Sequence, residues 1–132
     1  MKPIFYLPLF LLTLFSCRPA QKSDQSTFQE VVKQHLGDDF QTFPNQDETY
    51  ILVFSEEDRE GLLMTTFLVW DKESEAILYQ RTVKDGYVKW LNADEIVYKD
   101  TPGIIEASNP NFTYKYDLKK KVKTTYNPNN NE

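Results

Sequence analysis

Few side chains in this chain have the type and spacing that chemistry requires. Cys17 is the only cysteine; it closes the run Leu14-Phe15-Ser16-Cys17 and has no second thiol for an intrachain disulfide, so its chemistry is modification of a lone sulfur. His35 is the only histidine. A zinc site on it would have to be completed by carboxylates, a poor donor set for that ion, so His35 reads as an exposed polar residue of a helix. Two clusters, Glu56-Glu57-Asp58 and Asp71, Glu73, Glu75, offer carboxylates. The second copies the first three ligand positions of a calcium loop, yet it lacks the glycine of position six and carries Thr82 where the bidentate glutamate belongs. Both clusters read as a solvated loop and turn, and no carboxylate pair stands out for glycosidic chemistry. The four glycines form no phosphate-cradling pattern. The expectation is a protein that is not an enzyme and needs no metal or cofactor.

Recognition is better provided for than catalysis. Trp70, Trp90, Tyr79, Tyr87, Tyr98, Tyr114 and Tyr116 combine apolar area with a hydrogen-bonding tip. The tryptophans are expected to fill the core, whereas period two sets some tyrosines beside lysine and threonine on a wet face. Tyr87, Tyr114 and Tyr116 are the expected binding residues, for a glycan or a peptide. With 15 basic against 20 acidic residues the net charge is −5, which excludes nucleic acid as a partner and gives no broad attraction to an anionic membrane surface. The basic cluster Lys119-Lys120-Lys121 with Lys123 falls in an apparent hairpin turn and reads as solvated.

The elements that must position these residues begin after an export signal. Met1-Lys2 supplies a positive start, Ile4 to Phe15 an apolar stretch and Ser16 a small residue before a cut. That stretch is too short for a hydrocarbon core of about 30 Å, which needs roughly 20 helical residues. Residues 14 to 17 resemble the lipobox of bacterial lipoproteins: Leu14, Ser16 and Cys17 match its pattern, and Phe15 is bulkier than the usual residue. The resemblance implies a diacylglyceryl thioether on Cys17, cleavage before it, acylation of the new amino group with palmitate-type chains, and residence on the cell membrane in the bacterial envelope. Arg18 in place of an aspartate after the cysteine leans to the outer membrane, facing the periplasm. The organisation is then a signal peptide over 1–16, a lipidated flexible tether over 17–27, one β-rich domain over 28–126 and a disordered tail over 127–132.

Within the domain, Phe28, Val31, Val32 and Leu36 recur at helical spacing with Gly37 as a stop; Ser26 or Thr27 can cap the helix, with Glu30 completing a capping box. From Thr49 the chain turns to short aromatic and β-branched runs: Thr49 to Ser55, Leu62 to Trp70, Ala76 to Val83, Tyr87 to Leu91, Glu95 to Lys99, Phe112 to Tyr116 and Val122 to Tyr126. The short connections between them dictate antiparallel hairpins. Tyr50 to Phe54 and Phe67 to Trp70 are apolar on both faces and read as central strands covered on both sides. Asp100 to Asn111, with Pro102-Gly103 and Asn109-Pro110, reads as a loop or a brief edge strand. At the end of the chain, Val122, Thr124 and Tyr126 oppose Lys121, Lys123 and Thr125. The fold class is mainly β with an α+β margin: one short N-terminal helix, then an antiparallel meander of about seven strands in an open curled sheet or small sandwich.

Val69-Trp70-Asp71-Lys72 and Lys115-Tyr116-Asp117-Leu118 each precede a turn and a strand, 46 residues apart. With Val88 to Tyr98 between them, residues 48–126 resemble the blades of WD-repeat and TolB-like propellers, in which an aromatic-Asp pair closes the third strand and the aspartate serves the turn. Propellers generally have at least four blades, and this region holds fewer than two periods, so the resemblance implies consecutive four-stranded meander units. Together these readings predict a lipid-anchored binding or assembly accessory with an envelope protein or glycan partner. An inhibitor or immunity lipoprotein that inserts the Asp100 to Asn111 loop into an envelope enzyme, and a small carboxylate-based envelope hydrolase, are the alternatives.

Overall fold

The computed structural model describes residues 24–102 and 112–130. The expected export signal, Cys17, most of the tether, the 103–111 stretch of the long connection and the last two tail residues lie outside the described residues. Helix α1 (Asp24–Leu36) begins within the expected tether, so Ser26 and Thr27 fall in its first turn and not at its cap. It ends at Gly37, where φ is +81° and the amide donates to the Lys33 carbonyl at 2.9 Å. Among the described residues no helix is long and apolar enough to cross a membrane.

Eight strands follow: β1 (Gln41–Pro44), β2 (Tyr50–Arg59), β3 (Leu62–Asp71), β4 (Ala76–Lys84), β5 (Val88–Trp90), β6 (Glu95–Lys99), β7 (Thr113–Asp117) and β8 (Val122–Thr125). They form two four-stranded antiparallel sheets, ordered β1-β2-β3-β4 and β5-β6-β7-β8, in which every strand pairs with its neighbour in sequence. The protein is thus mainly β, with one short helix and two open meanders. The expected strands are all present, and β1 is the addition.

One local correction concerns the acidic residues and another the tail. Glu56, Glu57 and Asp58 are strand, not loop, because the β2–β3 ladder continues to Arg59 opposite Leu62. A two-residue turn, Glu60-Gly61, closes it with φ of +55° and +82°, the positive pair that a type I′ hairpin demands. Asp58 accepts the Gly61 amide at 2.8 Å and Glu57 accepts Arg59 at 2.9 Å, so these carboxylates serve the hairpin. In the tail, Pro128–Asn130 forms a 3-10 turn where composition predicts no structure.

The turns after β3 and β7 are built alike. Asp71 accepts the Glu73 amide at 3.0 Å and the Ser74 hydroxyl at 2.8 Å. Asp117 accepts the amides of Lys119 and Lys120, both at 2.9 Å, and these bonds hold its carboxyl below the usual carboxylate range, the Lys120 amide first. Each turn ends on a residue with positive φ, Glu75 at +52° and Lys121 at +56°. Both aspartates therefore act as turn acceptors.

Ladder parity decides what each sheet face buries. On one face of the first sheet Val53, Leu68 and Trp70 pack against Val32 of α1, with Phe28, Val31, Leu36, Ile51 and Ile77 around them. On the other face Leu52, Phe67, Val69 and Val83 meet Ile96 and Tyr98 of the second sheet and Leu118 of the β7–β8 turn. β2 and β3 are apolar on both faces for this reason: helix on one side, sheet on the other. Asn45, 4% exposed, ties the sheets together. Its Nδ2 donates to the Ala93 carbonyl at 2.8 Å and its Oδ1 accepts the Tyr50 amide at 2.9 Å. The Trp90 indole N–H likewise donates to the Phe43 carbonyl at 2.8 Å.

Candidate binding site

The face shared by the sheets is not apolar to its end. Ladder pairs put Tyr98 opposite Tyr114, Tyr116 opposite Lys123 and Phe67 opposite Arg81, so these side chains lie on the facing sides of the two sheets. Tyr79 joins them through a bulge. Val69 faces Tyr79 but Trp70 faces Ile77, leaving Leu78 as the extra residue. Strict alternation from Ile77 would aim Tyr79 at the helix; the bulge turns it toward the second sheet.

The four tyrosines form one contiguous cluster. Tyr79 stacks on Tyr116 with ring centroids 3.7 Å apart and an interplanar angle of 14°. Tyr98 lies 5.4 Å from Phe67 and 5.7 Å from Tyr114. The hydroxyls of Tyr79 and Tyr98 are 2.8 Å apart and share a hydrogen bond. Tyr98 is fully buried, and burial, followed by the hydrogen bond and charge of Tyr79, pushes its phenol far above the ordinary tyrosine range. The Tyr116 phenol is raised by burial and then by Tyr79, and that of Tyr50 by burial and then by Asp71.

Two cations close the cluster. Arg81 Cζ lies 5.7 Å from the Tyr98 ring centroid, and its guanidinium is 3.6 Å from Asp100 Oδ2. Burial works against the Arg81 charge, but the Tyr79 hydrogen bond with Tyr98, Tyr79 and Asp100 nearby outweighs it and raises its pKa. Lys123 Nζ sits 4.1 Å from the Tyr114 centroid and 6.0 Å from that of Tyr98. Desolvation and then the Arg81 charge lower the Lys123 pKa, with Asp100 opposing. Among the described residues no carboxylate lies within ion-pair distance of Lys123.

Of the expected binding residues, Tyr114 and Tyr116 meet in this cluster, half-buried, while Tyr87 does not join them. Tyr87 is 43% exposed just before β5, with Lys89 Nζ 5.6 Å from its ring. Lys123, expected on the solvated side of its strand, shares the face of the tyrosines instead. The reason is register: the four-residue turn 118–121 pairs Asp117 with Val122, which sends Val122, 48% exposed, to the far face and sets Lys123, itself exposed, opposite Tyr116 on the face of the tyrosines. Arg81 and Asp100 were not anticipated; the available signal was a charge at the same parity as Tyr79 and Val83, on the apolar face of its strand. His35 is exposed on α1, and among the described residues no group of three or more His, Cys, Asp or Glu could hold a metal.

Two concavities of about 440 Å³ each lie elsewhere. One, by α1, is lined by Phe28, Ile51 and Trp70, and the other, at the β5–β6 and β7–β8 turns, by Asp94, Glu95 and Lys119. The first also has Lys72 and Glu75 in its lining, but among the described residues neither concavity places a cation over an aromatic ring as the inter-sheet edge does.

The raised phenols predict an alkaline limb in stability. A group whose folded pKa lies above its unfolded value holds its proton longer when folded, so its stabilisation is complete below the unfolded value and is lost as pH rises beyond it. Folding stability should therefore fall once pH exceeds the ordinary tyrosine value of 10.0, with Tyr98 contributing most. Denaturant midpoints measured from pH 8 upward check this: Tyr98→Phe should flatten the limb, and an unchanged slope would assign the loss to other groups.

Comparison with protein-family models, curated proteins and solved structures finds no match to this chain.

Proposed function

We propose that the protein is a lipid-anchored module of the bacterial cell envelope that acts by binding, as a non-enzymatic accessory to a protein partner. The observation that carries the binding role is the inter-sheet edge, where Tyr79, Tyr98, Tyr114 and Tyr116 lie in mutual contact beneath Arg81 and Lys123. Tyrosine and arginine are the residue types that concentrate binding energy at protein interfaces, because they bring large area and hydrogen bonding at low entropic cost.

The anchor is supported by the sequence Leu14-Phe15-Ser16-Cys17 and the apolar run before it. Two or more acyl chains, at about 0.8 kcal/mol per buried methylene, hold a domain on a bilayer stably. Cys17→Ser should move the protein from the membrane to the soluble envelope fraction without changing its melting temperature. A Cys17→Ser protein that is still processed and still sediments with membranes would refute the lipid anchor.

The binding role is tested separately. The detergent-solubilised, full-length protein should retain a stoichiometric partner from its own envelope extract. Turnover of a glycan or ester panel with no retained partner would reverse the reading in favour of an enzyme.

A further inference from the structure

We propose that Arg81 and Lys123 form the receptor for a carboxylate of an extended peptide segment carried by the binding partner. The inference rests on the binding-module reading above and narrows it to a ligand chemistry.

Charge is the first argument. Arg81, Lys123 and Asp100 meet at the Tyr98 and Tyr114 rings, two cations to one carboxylate, in a chain whose net charge is −5. Asp100 is engaged with Arg81 at 3.6 Å, which leaves the Lys123 charge without an ion-pair partner among the described residues. Arg81 is half-buried and Lys123, though exposed, lies against the Tyr114 ring at 4.1 Å, so each cation has lost part of its water, and a partly desolvated cation binds an anion more strongly than a fully hydrated one. The single surplus positive charge matches one carboxylate better than a phosphate monoester, which carries close to two negative charges.

Geometry then favours a peptide over a sugar. A sugar ring needs a free aromatic face. Here Lys123 occupies a face of Tyr114 at 4.1 Å, and Tyr79 and Tyr116 cover each other at 3.7 Å. A peptide, in contrast, can use the backbone. β8, which carries Lys123, is exposed at all four positions and pairs only with β7 among the described strands, so its outer edge offers amides and carbonyls for an added strand. Such a segment, lying along β8, delivers its terminal carboxylate to Lys123 and Arg81 as its last contact.

The test immobilises the full-length, detergent-solubilised protein and applies a library of randomised hexapeptides, once with free C-terminal carboxylates and once amidated. The acid library should be retained over the amide library by roughly tenfold or more, the scale of a charge-assisted hydrogen bond. Lys123→Gln should abolish most of that preference with the melting temperature unchanged, and Lys123→Arg should restore it. Equal retention of acid and amide, or competition by glucuronate or inorganic phosphate stronger than by the peptide acids, overturns the proposal. If no peptide is retained while the envelope partner still is, the carboxylate inference fails and the binding module stands. If neither is retained, both fail.

Discussion

Gly86→Ala is expected to remove about 3 kcal/mol or more of folding stability, read as a shift of the denaturant midpoint. An added Cβ would lie 1.8 Å from the Lys99 carbonyl oxygen, 2.8 Å from its carbon and 3.3 Å from Val83 Cγ2. Both carbonyl atoms are backbone and have no rotamer by which to yield. The crowding has a structural source, because Gly86 lies in the link from the first sheet to the second. That link is clamped by the Lys99 amide on the Tyr87 carbonyl at 2.9 Å and by the Thr101 amide on the Lys84 carbonyl at 3.2 Å. Moving it away from Lys99 would break these bonds and shift the sheets apart. Gly61→Ala is the control: its Cβ would meet nothing within 4 Å, and only its φ of +82° is unfavourable, for a cost of about 1–2 kcal/mol. Small domains hold a net stability of about 5–15 kcal/mol, so the first variant approaches unfolding and the second does not. Equal midpoint shifts would refute the close-approach argument.

Trp70→Ala should cost about 3–5 kcal/mol, the range for removing a large aromatic side chain from a core. Trp70 is 4% exposed and meets the Phe28 ring edge-on at 5.6 Å. It belongs to the smaller of two core clusters, the one between α1 and the first sheet. The larger cluster, between the sheets, does not contain it. The loss should therefore be local before it is global: amide exchange in α1 accelerates strongly, while protection in β6 and β7 declines only as far as overall stability does. Uniform acceleration throughout the domain would mean that the two clusters act as one unit.

The sequence conveyed the strands more fully than the site, for physical reasons. β2 and β3 were legible because a strand buried on both faces must be apolar at consecutive positions, and Tyr50 to Phe54 and Phe67 to Trp70 are. β1 was not, because all four of its residues are exposed and an edge strand without a buried face leaves no alternation to read. Glu56 to Arg59 looked like a loop because acidic residues are poor strand formers. They are held extended by the ladder to Leu62, Leu63 and Met64, a tertiary effect that overrides local preference. Tyr114 and Tyr116, two residues apart, share a face by parity alone, but the side to which Lys123 belongs depends on the turn count between Asp117 and Val122, and a one-residue difference reverses it. Tyr79 reaches the site only through the bulge at Leu78, which has no glycine or proline to signal it. The convergence of Arg81 and Lys123, 42 positions apart on different sheets, is a property of sheet stacking and has no local trace.

The nearest-neighbour strand order also sets how the chain can fold in time. No strand waits for a distant partner: each pairing closes either a tight turn or, between β6 and β7, a connection over residues 100–112. Loop-closure entropy rises only slowly with length, and folding is fastest where contacts are local. The β2–β3 hairpin, with ten residue pairs across a two-residue turn, has the cheapest closure and supplies apolar side chains to both core clusters. It is the natural nucleus. β1 and β4 then add to its two sides, while the second sheet, whose central pairing spans the longer connection, consolidates later against a template already in place. Substitutions in β2 and β3 should accordingly slow folding, and those in β7 and β8 should chiefly hasten unfolding.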